Sequence, residues 1–120
     1  MTIKEKFSSF EKLPERVALY VPGTAGPATE DPALAERMTA ETAAKFSALF
    51  GGATITDAAG AWISDARGLI REQVKIVYSF TDAETLERNA DAIIALAQKV
   101  KKDMEQEAVS VEIGGALYLI

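Results

Sequence analysis

The chain has neither cysteine nor histidine among its 120 residues. That removes thiol nucleophiles, Ser-His-Asp triads, Cys/His zinc sites and imidazole proton shuttles. Carboxylate, lysine, tyrosine and hydroxyl chemistry remain. Disulfides are excluded, so thiols give no reading of the redox compartment. Nor does any stretch approach the run of about 18 apolar residues that would span a bilayer. Residues 1–16 mix Lys with Glu and lack an apolar centre, unlike a secretory signal. These absences predict a cytoplasmic protein with no membrane association, no cofactor and no metal.

Acidic residues outnumber basic ones, 18 to 13, for a net charge of −5. The excess lies mainly in residues 30–50 and 82–107. A negative surface disfavours sequence-independent binding to phosphate backbones, so no direct nucleic-acid binding is expected. A hydrophobic fraction of 48% is ordinary for a globular chain. The length fits one domain over 1–120, with a core at 16–120 and an N-terminal extension at 1–15.

Residues 3–13 place Phe7, Phe10 and Leu13 at helical spacing before Pro14. Val17–Val21 reads as a buried strand stopped by Pro22-Gly23, and Gly23–Pro32 as a loop. Asp31-Pro32 is a helix start, an N-cap acid followed by Pro at the first position. Leu34, Met38, Phe46, Leu49 and Phe50 continue that helix to Gly51-Gly52, although Thr42 interrupts the stripe and allows a break near Thr39. Ala53–Thr56 opens a second strand, with a bulge suggested at Gly60 before Trp62-Ile63. After a turn at Ser64–Gly68, Leu69–Phe80 forms a third strand with Val74, Ile76, Tyr78 and Phe80 on one face.

Thr81-Asp82-Ala83-Glu84 reads as a capping box opening a helix to about Glu105, with Leu86, Ala90, Ile93, Ala97, Val100 and Met104 as its stripe. Val109, Val111 and Ile113 make a fourth strand, Gly114-Gly115 a hairpin turn, and Ala116–Ile120 a fifth strand. The order predicts an α+β fold: a ferredoxin-like β-α-β-β-α-β sandwich with an extra C-terminal hairpin strand and a short N-terminal helix. Its first and third strands are expected at the centre, parallel to each other.

Several constellations carry potential chemistry. Gly51-Gly52 and Gly114-Gly115 lack the frame of a phosphate loop and read as turns. Trp62 with Arg67, Arg71 and Glu72 is either a Trp packed on a sheet beside solvated charges, or an interaction patch, since Trp and Arg favour interfaces. Glu72, Glu107 and Glu112 could cluster on the sheet, but nothing in their spacing forces convergence at a metal or an acid/base site. Tyr20, Tyr78 and Tyr118 could stack bases, yet the basic-aromatic motif is missing and the charge has the wrong sign. The ending Leu117, Tyr118, Leu119 and Ile120 is an apolar edge that is either covered by the fold or pairs with a second subunit. A homodimer through that strand is one expectation.

The segments Leu19–Pro22, Phe50–Thr54, Gly60–Trp62, Gln106–Val109 and Gly114–Ile120 together resemble a family of small uncharacterised bacterial proteins, a domain of unknown function often carried on plasmids and other mobile elements. The resemblance covers most of residues 17–120 and omits the first sixteen and the Gly23–Asp31 loop. It implies the fold and a mobile-element context, and supplies no catalytic residues. The expectation is a non-enzymatic protein-binding module with a protein partner of unknown identity, an accessory or counter-defence (anti-CRISPR-like) inhibitor engaging that partner by its acidic helices or Trp62 patch. The alternative is a small-molecule-binding domain or minor enzyme using the open sheet face of a dimer, with Arg71, Glu72 and Tyr78 as linings. A third reading is an assembly role through the C-terminal edge.

Overall fold

The computed structural model describes residues 1–23 and 31–120. The loop expected at Gly23–Pro32 therefore falls largely outside the described residues. Strand β1 (Glu15–Pro22) leads to helix α2 (Pro32–Phe50), preceded by a single helical turn α1 (Ile3–Lys6). Strands β2 (Thr54–Ser64) and β3 (Gly68–Thr81) form a long hairpin. Helices α3 (Ala83–Arg88) and α4 (Ala90–Asp103) then return the chain to β4 (Ser110–Ile113) and β5 (Ala116–Leu119).

The five strands lie in the order β2-β3-β1-β4-β5, and every neighbouring pair is antiparallel. This is the ferredoxin-like order with β5 added outside β4. The first and third strands are central as expected, but antiparallel. The hairpin reverses β3 after β2 and slots it between β2 and β1, so the parallel relationship belongs to β1 and β2.

Period-two alternation divides the sheet into a helix-covered and an open face. Val17, Leu19 and Val21 of β1, with Val77 of β3 and Val111 of β4, are buried against Met38 and Phe46 of α2 and Ile93, Ala97 and Val100 of α4. Each of these side chains apart from Ala97 stabilises the fold by roughly 1.5–3 kcal/mol of transfer free energy. Val74, Ile76, Tyr78 and Phe80 do share a face, but it is the open one; Val77, Ser79 and Thr81 are the buried set.

Local chemistry explains the boundaries. The Asp31 carboxylate accepts the Leu34 N–H at 3.1 Å and Pro32 follows it, as a helix start requires. No break occurs at Thr39 or Thr42: their hydroxyls donate to Ala35 O and Met38 O, each at 2.7 Å, which satisfies them inside a continuous helix. The second helical segment does divide, at Asn89, whose side-chain amide donates to Thr85 O at 2.9 Å alongside its own backbone N–H at 3.2 Å. Its cap is Asp82, accepting from Thr85 N at 2.8 Å, rather than Thr81, which ends β3. Ala90, expected in the apolar stripe, is exposed.

The bulge expected at Gly60 is absent, because the β2–β3 register is unbroken from Thr54↔Tyr78 to Ser64↔Gly68. Gly60 instead leaves room for the Glu72 side chain across the pair: an added Cβ would meet Glu72 Cγ at 3.4 Å. The helix expected over 3–13 is confined to Ile3–Lys6, and Phe7, Phe10 and Leu13 are exposed. No described helix is long and apolar enough to cross a membrane.

Candidate functional site

The open face carries the polar chemistry of this chain. Alternation along β1 puts Arg16, Ala18, Tyr20 and Pro22 there, and pairing brings Glu112 of β4 and Tyr78 of β3 to either side of Ala18. Ala18 has only a methyl group, and the larger neighbours close over it. The Tyr20 hydroxyl donates to Glu112 Oε1 at 3.0 Å, Arg16 Nε lies 3.4 Å from Glu112 Oε2, and the Arg16 guanidinium stacks 4.1 Å over the Tyr78 ring. Burial, then the bond to the Glu112 carboxylate, raises the Tyr20 phenol above its ordinary value. Glu112 is thus a positioning acceptor with both oxygens engaged.

Beside this cluster Tyr20, Pro22, Glu72, Val74 and Ser110 surround a depression of about 80 Å³. Glu72 is half-buried there and has no hydrogen-bond or ion-pair partner among the described residues. A half-buried carboxylate with no partner among the described residues, lining one depression with Tyr20, is the feature of this face best placed to meet a cationic ligand. A second groove, of about 370 Å³, lies at the far end of β3 between Leu13, Phe50, Tyr78 and Phe80. It is larger but lined without a charged side chain. Its volume suits a small organic ligand, whereas the 80 Å³ depression alone does not.

The residues singled out from sequence are dispersed. Trp62 and Glu72 occupy the open face, Arg71 the opposite one, and Arg67 the turn at the hairpin tip. They do not form one patch, because adjacent residues of a strand point to opposite faces. Arg71 likewise cannot line a site with Glu72 and Tyr78. Trp62 is 48% exposed rather than packed on the sheet. Tyr20 and Tyr78 share the open face, and Tyr118 lies on the other. Of the C-terminal residues, Leu117, Tyr118 and Leu119 are exposed, while Ile120 packs on the core and exchanges two backbone bonds with Val109.

Sequence reasoning missed Arg16. Its signal was available: period two along Glu15–Pro22 groups Arg16 with Tyr20. The acidic helices are also less free than their charge suggested, since Lys99 bridges Glu41 at 3.0 Å and Asp103 at 2.9 Å.

No family model matches the chain, and no curated protein matches it. Among solved structures it is similar to a phage SAM lyase in complex with S-methyl-5'-thioadenosine: TM-score 0.66 and 22% identity over 92% of this chain and 94% of that one. The same lyase in its apo state matches with TM-score 0.65, the same identity and the same coverage. CutA from Synechococcus elongatus matches with TM-score 0.47 and 16% identity over 87% of this chain and 78% of that chain.

These matches correct the expectation of a non-enzymatic protein-binding module of the anti-CRISPR-like kind: over nearly its whole length the chain shares its fold with a phage SAM lyase. The Trp62–Arg71 patch does not assemble, whereas Tyr20 and Glu72 line one depression on the open face.

Proposed function

We propose that this protein is a lyase acting on S-adenosylmethionine or a closely related sulfonium nucleoside, with Glu72 and Tyr20 as its reactive-face residues. The observation that carries the reading is that Tyr20 and Glu72, whose carboxylate has no partner among the described residues, line one depression on the open sheet face. The fold match to a SAM lyase supports it.

The composition is compatible with this chemistry. When the carbon–sulfur bond to the four-carbon amino-acid portion breaks, the thioether leaves neutral with the bond pair. It needs no protonation, so an enzyme without histidine or cysteine meets no obstacle at the leaving group. As that bond breaks, the four-carbon fragment either loses a proton from the adjacent carbon to give an alkene, or bonds its own carboxylate to the vacated carbon to give a lactone that keeps the ammonium charge. A carboxylate facing the sulfonium attracts the cation and, in the eliminating route, accepts the proton. The reading places the protein where S-adenosylmethionine is available, in the cytoplasm, and a mobile-element setting accords with the phage source of the neighbour.

The test is direct. Purified protein incubated with S-adenosylmethionine should release S-methyl-5'-thioadenosine, separated by chromatography and read by its adenine absorbance. Release by the wild type, abolished in Glu72→Gln with an unchanged circular dichroism spectrum, supports the reading. No release by the wild type overturns it.

A further inference from the structure

Gly23 follows the strand that carries Tyr20 and touches the strand that carries Glu72. Strand β1 pairs with β3 as far as Pro22↔Val74. Beyond that point residues 68–73 of β3, with Glu72 among them, have β2 as their one partner strand among the described residues. One residue past the end of β1, the Gly23 N–H donates to Gln73 O at 2.9 Å. This bond ties the overhanging stretch of β3 back to β1 at the residue next to Glu72.

The two backbones approach more closely there than a side chain allows. A Cβ added at Gly23 would lie 2.5 Å from Gln73 O, 3.2 Å from Gln73 C and 3.2 Å from Gln73 Cβ. The first two are main-chain atoms, which yield only if the strand itself moves. Elsewhere among the described glycines the nearest such contact is 3.4 Å. Gly23 is not one of the left-handed glycines, so space rather than backbone angle is what calls for glycine here.

The two polar walls of the depression are held from different sides. Tyr20 is anchored through its hydroxyl on Glu112 of β4, so it does not follow when β3 draws away. Glu72 stands on the overhang, which β2 holds on one side and the Gly23 bond on the other. The spacing across the depression therefore depends on residue 23. Reacting groups tolerate little displacement: about 1 Å can cost about 100-fold in rate.

We propose that Gly23 is a positioning residue: its bond to Gln73, which the missing side chain permits, fixes how far Glu72 stands from Tyr20. The inference rests on the reading that Glu72 meets the substrate, and adds the part of the chain that sets where Glu72 stands. Pro22-Gly23, in sequence only the stop of a strand, thereby serves the site.

Gly23→Ala is the test variant. Gly114→Ala controls for lost stability, since Gly114 has a left-handed φ of +60° and open space in the β4–β5 turn. Gly23→Ala should release S-methyl-5'-thioadenosine with kcat lowered by about 10- to 100-fold, while Gly114→Ala keeps the wild-type kcat. A second background separates positioning from general damage. In Glu72→Asp the carboxylate is already drawn back by one methylene, so adding Gly23→Ala should lower kcat by less than about threefold more. A wild-type kcat in Gly23→Ala overturns the proposal, as does an equal loss in Gly114→Ala or in the Glu72→Asp background.

The Glu72 carboxyl resonance in carbon-13 NMR, assigned by its absence from Glu72→Gln, gives a reading without substrate. It should move in Gly23→Ala and stay in place in Gly114→Ala; an unmoved resonance in Gly23→Ala overturns the proposal. Hydrogen exchange on the unmodified protein guards against a variant that fails to fold. The Gly23 amide should exchange as slowly as the paired amides of β1, and exchange at the rate of an open chain overturns the proposal. A wild type that releases no thioadenosine, with the resonance moved in Gly23→Ala, counts against the proposed function alone.

Discussion

The Tyr20 hydroxyl reaches across from β1 to donate to Glu112 Oε1 of β4 at 3.0 Å, joining residues 92 positions apart in sequence. Burial and the neighbouring carboxylate both favour the protonated phenol, so its folded-state value lies above the ordinary 10.0. A raised value in the folded state contributes stability that is complete below pH 10 and is lost as pH rises through the folded value. Denaturant unfolding between neutral and strongly alkaline pH should show the wild type losing stability above pH 10 more steeply than Tyr20→Phe. At neutral pH the same substitution should cost about 1 kcal/mol for the lost hydrogen bond.

Glu72 and Glu112 share a sheet face but not a role. Glu112→Gln weakens the contacts to Arg16 and Tyr20 and should cost about 1 kcal/mol in chemical denaturation. Glu72→Gln removes no bond and should leave stability within about 0.5 kcal/mol, while thioadenosine release falls by about 100-fold or more. The reverse pattern, with Glu72→Gln unstable and active, would assign the carboxylates the other way round.

The Asp82 carboxylate is held below its ordinary value of 3.8 by the N–H and hydroxyl of Thr85. A lowered value gives stability that is present above pH 4 and lost as pH falls through the folded value. Acid titration followed by circular dichroism should therefore show a loss of stability in the wild type that is smaller in Asp82→Asn, which keeps a capping oxygen but cannot titrate.

How far the sequence disclosed this molecule depends on the range of the interaction. Asp31-Pro32 and Gly114-Gly115 act over a few residues, and helix start and hairpin turn fall where their local chemistry puts them. The helix divides at Asn89, where side-chain and backbone N–H groups both donate to Thr85 O, and a stripe of apolar residues does not reveal that division. The direction of β3 relative to β1 is set by how a hairpin folds back, and no residue within either strand encodes it. The site depends on similar long-range facts. Alternation could place Arg16 and Tyr20 on one face, but only the β1–β4 register brings Glu112 between their side chains. The Trp62, Arg71 and Glu72 grouping failed because proximity in sequence along a strand means opposite faces.

Gly51 and Gly52 make the last prediction, since they are adjacent and equally uncrowded but differ in backbone angle. A Cβ added at either would meet nothing within 4 Å, so space is equal. Gly51, however, closes α2 at φ +88°, donating its N–H to Ser47 O at 2.9 Å in a left-handed conformation that side chains resist. Gly51→Ala should cost about 1 kcal/mol, or a fall in Tm of roughly 4 °C. Gly52→Ala restricts only the unfolded chain and should be neutral or stabilising by about 0.5 kcal/mol. Thermal melts of the pair read the conformational term directly, and equal losses at both positions would show that the αL geometry is not what glycine supplies at the end of α2.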